Sequence, residues 1–356
     1  MTPTTTRQWV LAKKSSGWPI IDGPESIFRL VEKSLPQLDD KKEEVLLKVL
    51  YLSNDPAQRL WINSGINARR LYTTPVEVGE IMRSYSSIAE VVQSKCAKLQ
   101  VGSLVSCSTG WCEYAVVPGA ECMPIEATGD ISPTHFSGVF GIAGVTAYYG
   151  LVDTVHAGPN DAVVISGAAG AVGSAAVQIA KNVLGCKKVI GIAGTDEKCR
   201  WVETLGADVC LNYKRETFWD DLLSATEPFV EVFFDNTGGE VLDYMLTRME
   251  KNGRVAACGA ISEYNTKKGS RPGIKNWYDV IAMRLTVKGL VVLDLTPARW
   301  GEIVHALLQG YHEGKIQANE AGQTIVPASF EDIPKIWMKL FDGQATGKLL
   351  TKLVHG

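Results

Sequence analysis

No two of the eight cysteines are separated by only two residues: they stand at Cys96, Cys107, Cys112, Cys122, Cys186, Cys199, Cys210 and Cys258. That scatter excludes zinc-ribbon spacing. The five histidines, His135, His156, His305, His312 and His355, have no cysteine or acid at ligand spacing, so no metal is expected. An excess of one charge is missing too. With 36 Lys and Arg against 39 Asp and Glu the net charge is −3, which argues against a nucleic-acid partner. A G-x-S-x-G elbow for serine-nucleophile chemistry is also absent. Residues 1–10 carry Arg7 and four threonines but no apolar core of leader length. With cysteines spaced as unpaired thiols, a reducing, cytoplasmic setting is expected. One uncharged stretch, residues 162–180, approaches bilayer length. It has no leucine and holds Gly167, Gly170 and Gly173, so a strand, a turn and a helix are expected there and no membrane partner.

At roughly 150 residues per domain, the 356 residues suggest two domains. The first third reads as short strands at 44–53, 87–92 and 103–107, punctuated by Gly79, Gly102 and Gly110. From about Phe136, Val/Ile runs alternate with helical segments, as in a parallel sheet covered on both faces. Strands are expected at 161–166, 188–192, 209–212, 230–235, 254–258 and 286–292, and helices at 172–184, 197–205, 218–225, 240–250 and 300–310. The pattern is α/β and doubly wound. After Gly314 a helix over 330–341 and a strand over 347–353 are expected to rejoin the first domain.

The run from Asp161 to Gly173 places an apolar strand directly before a turn with G-x-x-G-x-x-G spacing, Gly167, Gly170 and Gly173, that opens a helix. Glycine there lets backbone N–H groups approach a pyrophosphate at the positive end of the helix, and lets helix and strand pack closely. A tight turn with no ligand has the same local signature, but the alternating units around it favour a dinucleotide site. About 20 residues on, where an NAD site places a carboxylate, the strand ends at Ala193, Gly194 and Thr195 with no acid. Asp196 and Glu197 follow in the first helical turn, and Lys198 comes next. A small residue with a nearby cation accommodates a 2′-phosphate and favours NADP; a solvated helix lysine is the other reading of Lys198. Farther on, Cys258 to Asn265 turns a strand end into a loop at the carboxyl edge of the sheet. Tyr264 is therefore a candidate proton donor or oxyanion partner, with a packing role as the alternative.

These residues carry a family resemblance. The motifs are Leu52-Ser53-Asn54-Asp55-Pro56, Gly110-Trp111-Cys112-Glu113-Tyr114, Gly144-Val145-Thr146-Ala147-Tyr148, Gly170-Ala171-Val172-Gly173, Asp196-Glu197-Lys198, Asn212-Tyr213-Lys214, Asp235-Asn236-Thr237-Gly238-Gly239, Cys258-Gly259-Ala260-Ile261-Ser262 with Tyr264, and Gly314-Lys315-Ile316-Gln317. In this order the chain resembles the zinc-independent medium-chain dehydrogenase/reductases, in particular the prostaglandin reductase and alkenal double-bond reductase group. The resemblance implies a GroES-like catalytic domain from residues 1–135 and 315–356, a Rossmann NADP-binding domain from 136–314, NADPH as cofactor without a metal, and a homodimer. By the same resemblance Gly170, Ala171, Val172 and Gly173 face the pyrophosphate, and Lys198 and Tyr213 hold the 2′-phosphate end. Asn236, Cys258, Gly259, Ala260, Ile261, Ser262 and Tyr264 would then line the cofactor, with Leu290, Val291 and Val292 at the nicotinamide.

The implied reaction is reduction of the carbon–carbon double bond of an enone or enal by hydride transfer to the β-carbon, with Tyr264 assisting at the enolate oxygen. The alternatives are a quinone or alcohol/carbonyl oxidoreductase and a non-catalytic nucleotide-binding protein. Two departures stand out: Ala57-Gln58-Arg59 where the group has Tyr-Met-Arg, and Ala345 where it has an asparagine next to the cofactor. The basic stretch 265–277, with Lys267, Lys268, Arg271 and Lys275, reads as a mobile lid or as a solvated loop.

Overall fold

A computed structural model of the chain describes residues 3–126, 129, 131–267, 270 and 273–354. Lys268 and Arg271 of the basic stretch and His355 lie outside them. The chain divides into two compact units, Met1–Ser137 with Thr324–Gly356, and Gly138–Gln323.

In the first unit a seven-stranded sheet is built around the long strand Glu44–Ser53, which pairs antiparallel with Ser87–Ser94 on one side and with the C-terminal strand Lys348–Leu353 on the other. A separate ribbon pairs Thr5–Leu11 with Phe28–Ser34. The core is aromatic: Trp111 stands 5.0 Å from Phe28 and 5.9 Å from Trp337, edge-on to the latter. An ion pair ties the C-terminal strand to the turn after Ser53: the buried Lys348 Nζ lies 2.6 Å from Asp55 Oδ1, and Ser53 Oγ donates to Asp55 Oδ2 at 2.6 Å. The expected helix over 330–341 is shorter, a tight turn at Phe330–Asp332 followed by Ile333–Met338.

The second unit holds six parallel strands: β1 (Ala162–Ile165), β2 (Lys188–Ala193), β3 (Val209–Asn212), β4 (Val230–Asp235), β5 (Met249–Ala257) and β6 (Thr286–Gly289), ordered β3-β2-β1-β4-β5-β6. Their central members are Val/Ile-rich and buried on both faces, as a parallel sheet requires. The flanking helices include α1 (Ala171–Gln178), α2 (Asp196–Thr204), α3 (Phe218–Ala225), α4 (Gly239–Leu246), α5 (Trp277–Ala282) and α6 (Pro297–His312). Residues 315–323 lie against this unit: Gln317 N donates to Gln178 Oε1 at 2.6 Å, and Ile316 packs on Gly310.

Three elements differ from expectation. The helix expected over 240–250 stops at Leu246, because β5 already begins at Met249; Asn252, at φ +63°, and Gly253 then form an irregularity where the register with β4 shifts. β6 ends at Gly289 rather than 292, and the chain tightens into a 3₁₀ turn at Val292–Asp294. α1 stops at Gln178 and continues through Val183 as a wider helical turn.

Candidate cofactor and active site

The strand order reverses between β1 and β4, and in such sheets the crevice beyond the carboxyl ends of the two diverging strands is where ligands sit. β1 runs out through Ser166 into Gly167, whose φ of +60° starts the turn. Gly170 caps α1 with extended backbone. A Cβ on Gly173 would fall 2.2 Å from Gly167 O and 2.7 Å from the Ala168 Cα, so only glycine lets α1 sit this close to the turn. At Gly170 the same atom would meet Gly167 O at 3.3 Å, a milder conflict. Ala171, Val172 and Gly173 thus form the first turn of a helix whose N–H groups lack intrahelical partners, the arrangement that receives a pyrophosphate.

Opposite this turn, β4 ends in a buried carboxylate. Asp235 Oδ1 accepts from Ser166 Oγ (2.8 Å), Thr237 N (2.9 Å) and Gly238 N (3.0 Å), and Oδ2 accepts from Gly238 N at 3.1 Å. Burial outweighs these donors and raises the carboxyl above its ordinary range. Ser166 is shared between strands, since its hydroxyl also accepts from Asn236 N (2.8 Å) while its carbonyl accepts from Asn236 Nδ2 (2.7 Å). Asn236 is therefore fixed beside the glycine turn, its Cβ 3.4 Å from where a Cβ on Gly167 would lie.

The 258–264 loop is stitched to the same edge. Cys258 N and Gly259 N both donate to Asp235 O, at 2.9 and 3.0 Å, Ile261 N donates to Asn236 O, and Ser262 Oγ donates to Thr237 O at 2.6 Å. Ala260 N donates to Tyr264 Oη at 3.2 Å. A Cβ on Gly259 would stand 3.2 Å from that hydroxyl, so the bare glycine is what lets the phenol lie over the strand end. Burial, then the Asp235 charge, push the Cys258 thiol up to about 12, which keeps it protonated and unreactive. Leu290 N donates to Ala257 O at 3.3 Å, and Leu290 and Val292 are buried with Val291 between them.

Beyond β2, Thr195 caps α2, its hydroxyl accepting from Lys198 N at 3.2 Å. Tyr213 N donates to Ala193 O, and the Tyr213 ring lies on Gly194, where a Cβ would stand 3.0 Å from the ring. Lys198 is half-buried and its pKa is lowered by burial and then by the Lys214 charge. Lys214 Nζ stands 5.9 Å over the Tyr213 ring. Asp196, the acid nearest the strand end, is committed elsewhere: it accepts from Asn212 Nδ2 at 2.7 Å and pairs with Arg215 at 2.8 Å. Gly194, Thr195, Lys198, Tyr213 and Lys214 thus gather at one place, with two lysines there and the acid nearest the strand end, Asp196, already paired.

The structure brings together the glycine turn, Asn236, the 258–262 loop and Tyr264 through direct bonds, with Lys198 and Tyr213 at the β2 end. Sequence reasoning missed Asp235 and Ser166, which hold the three loops in place; the available signal was a single acid closing an apolar strand. In the first unit, Gln58 holds the turn that follows Asp55. Its Oε1 accepts from Asp55 N (2.8 Å) and its Nε2 donates to Arg83 O (2.6 Å), locking the turn. Arg59 is buried and donates to the carbonyls of Ser15 and Gly17, and burial pulls it down to about 10. Ala57 packs at the margin of the aromatic core, and Ala345 lies part-buried in the loop before Lys348. At the end of the basic stretch, Lys275 N and Asn276 N donate to Asp243 Oδ1, anchoring it to α4. Among the described residues no group of three His, Cys, Asp or Glu could hold a metal ion, and no helix is long and apolar enough to cross a membrane.

A family model described as the N-terminal domain of oxidoreductase matches residues 7–125, and one described as zinc-binding dehydrogenase matches residues 171–309. Prostaglandin reductase 1 of Bos taurus is 36% identical over 354 residues, covering 97% of this chain and 98% of its own length. The NADPH-dependent curcumin reductase of Escherichia coli is 30% identical over 354 residues, covering 98% and 96%. Among solved structures, CurA from Vibrio vulnificus in complex with NADPH superposes with a TM-score of 0.86 at 31% identity, covering 98% of this chain and 100% of that one. The chain belongs to the zinc-independent branch of the medium-chain dehydrogenase/reductase superfamily.

Proposed function

We propose that the protein is an NADPH-dependent reductase of the carbon–carbon double bond of α,β-unsaturated aldehydes and ketones. The observation that carries this reading is the joining of Asn236, Gly259 and Tyr264 to the glycine turn at one sheet edge, with a cationic site at the end of β2. The relatives named for prostaglandin and NADPH-dependent curcumin reduction support it.

The residues present fit the cofactor. Gly173 leaves no room for a side chain where α1 meets the turn, Gly170 opens the backbone to a pyrophosphate, and Lys198 with Tyr213 suits a 2′-phosphate. Bound NADPH would supply the hydride that adds to the β-carbon. The conjugated carbonyl then takes up the electron pair as an enolate, so the protein must supply position and a polar partner for the growing oxyanion. Tyr264 is that partner: its hydroxyl is held at the strand end by Ala260 N and assists at the enolate oxygen. Asn236, Cys258 to Ser262 and Leu290 to Val292 shape the nicotinamide end. The chain is also proposed to form a homodimer through β6, whose four residues are all exposed on an unpaired sheet edge; light scattering of the purified protein reads this directly.

The test is turnover of an enone panel with deuterated NADPH, followed by NMR of the product. Deuterium at the β-carbon of a saturated ketone is expected. Deuterium at the carbonyl carbon, or no oxidation of NADPH across the panel, would overturn the reading.

A further inference from the structure

Two cations, Lys214 and Arg215, stand just beyond β3, and the structure uses them differently. Arg215 is committed to Asp196, at 2.8 Å, while Lys214 takes part in no ion pair among the described residues. Its backbone is fixed all the same: Lys214 N donates to Asn212 Oδ1 at 3.1 Å, and Asn212 Nδ2 donates in turn to Asp196 Oδ1 at 2.7 Å. The side chain folds back and carries Nζ over the Tyr213 ring, 5.9 Å from its centroid. That posture gives up rotamer freedom for a contact with an exposed ring, which returns little by itself. Tyr213 in turn addresses the β2 end. The ring atoms nearest a Cβ built on Gly194 are Cε1, Oη and Cζ, at 3.0, 3.2 and 3.4 Å, so the phenol meets the strand end along its hydroxyl edge, while the residue stays 49% exposed. The next residue, Thr195, accepts from Lys198 N. The β2 end therefore carries a phenol hydroxyl, an ammonium held over that same ring and a second lysine at the α2 cap, with the nearest acid withdrawn. Like charges gathered without an acid are unfavourable unless an anion of more than one charge joins them.

We propose that Lys214 is a second specificity-determining residue of the cofactor site: together with Lys198 it holds the 2′-phosphate of NADPH as a dianion, and the two lysines jointly set the preference over NADH. The inference rests on the placement of the 2′-phosphate proposed above. A phosphate monoester has its second pKa at about 6, so the second negative charge is present at neutral pH and lost in mild acid. One ammonium answers one of the two charges. Lys214 answers the other, and the Tyr213 hydroxyl donates to a phosphate oxygen. Because Lys214 reaches the phosphate across the Tyr213 ring, its side chain needs no rearrangement from the posture it already has. Two cations hold the phosphate dianionic to lower pH than one does, which ties the choice of cofactor to the ionisation of the cofactor itself.

The test compares wild type with Lys198→Ala, Lys214→Gln and Lys187→Gln. Lys187 pairs with Glu231 at 2.7 Å just before β2, at the opposite edge of the sheet, and its loss removes the same unit of charge. NADPH and NADH are titrated by fluorescence at low ionic strength, and the 2′-phosphate resonance of bound NADP is followed against pH by phosphorus NMR. Lys214→Gln should weaken NADPH about fivefold and leave NADH within about twofold, the modest figure suiting an exposed cation. The bound 2′-phosphate should also take up its second proton at a higher pH than on wild type. Lys187→Gln should change neither reading. Unchanged NADPH affinity in Lys214→Gln, equal weakening of NADH, a phosphate titration that does not move, or an equal loss in Lys187→Gln would each overturn the proposal. Failure of the underlying placement has its own mark: Lys198→Ala would then keep the preference for NADPH, whereas with the placement correct and Lys214 idle only Lys214→Gln would keep it.

Discussion

Substituting Asp235 by asparagine and by alanine separates two things its carboxylate does: accept hydrogen bonds and carry charge. With its carbonyl in the Oδ1 position, asparagine keeps the acceptor that faces Ser166 Oγ at 2.8 Å, Thr237 N at 2.9 Å and Gly238 N at 3.0 Å. It gives up only the second, 3.1 Å branch from Gly238 N. It also removes a buried charge whose desolvation is the largest influence on the group. The expected cost of Asp235→Asn is therefore within about 1 kcal/mol, or a small gain. Alanine strands two hydroxyls, of Ser166 and Thr237, and two N–H donors, each costing about 1–3 kcal/mol when buried and unpaired. With some water entering, Asp235→Ala should lose about 3 kcal/mol.

Urea unfolding read by the shift of midpoint at constant slope distinguishes the two. There is also a pH signature. The folded carboxyl titrates above its ordinary value of 3.8, so its stabilising contribution is fully present below that value and is lost as pH rises through the folded pKa. Wild type should gain on Asp235→Asn as pH falls from neutral toward 4. If asparagine proves as damaging as alanine, charge rather than acceptor geometry holds the three loops, and the account of the site given above is wrong.

Lys198→Ala should weaken NADPH about tenfold and NADH hardly at all, the modest figure reflecting a half-exposed cation; equal weakening in fluorescence titrations would remove Lys198 from the 2′-phosphate. Tyr264→Phe should lower kcat while the Kd for NADPH holds, with a stability loss of about 1 kcal/mol for the acceptor withdrawn from Ala260 N; an unchanged kcat would end its assigned role. Gly173→Ala should cost about 1–3 kcal/mol and disturb cofactor binding, because its Cβ meets Gly167 O at 2.2 Å. Gly170→Ala, at 3.3 Å, should be milder in the same thermal melt.

Legibility of the fold followed burial. Val230–Asp235, in the middle of the sheet, could be read to the residue, since a strand buried on both faces shows as a largely apolar run. The ribbon strand Phe28–Ser34, half-exposed and ending in Glu32, Lys33 and Ser34, shows no such run and was invisible. β5 was mistaken for helix at its start because Glu250, Lys251 and Asn252 interrupt its apolar character where the register with β4 shifts. These failures share one cause: pairing partners, not local composition, hold those backbones extended.

The site divides along the same line. Gly167, Gly170 and Gly173 were legible because each is demanded by its own backbone or by a neighbour a few residues away. Asp235 was not, since its meaning depends on Ser166, 69 positions earlier, and on a loop that follows β5. Asp196 is the instructive intermediate. Spacing puts it just past the strand end where an NAD site has its carboxylate, and its location in the first turn of α2 is as expected. Only the partners decide its role: Asn212 and Arg215 occupy both carboxylate oxygens, so the acid nearest the β2 end holds β3 to α2 and leaves Lys198 and Lys214 to set the sign of the site. Converting such a site to prefer NADH therefore requires a new acid at Thr195, because a side chain at Gly194 would press on the Tyr213 ring and releasing Asp196 would unpick the strand end that positions it.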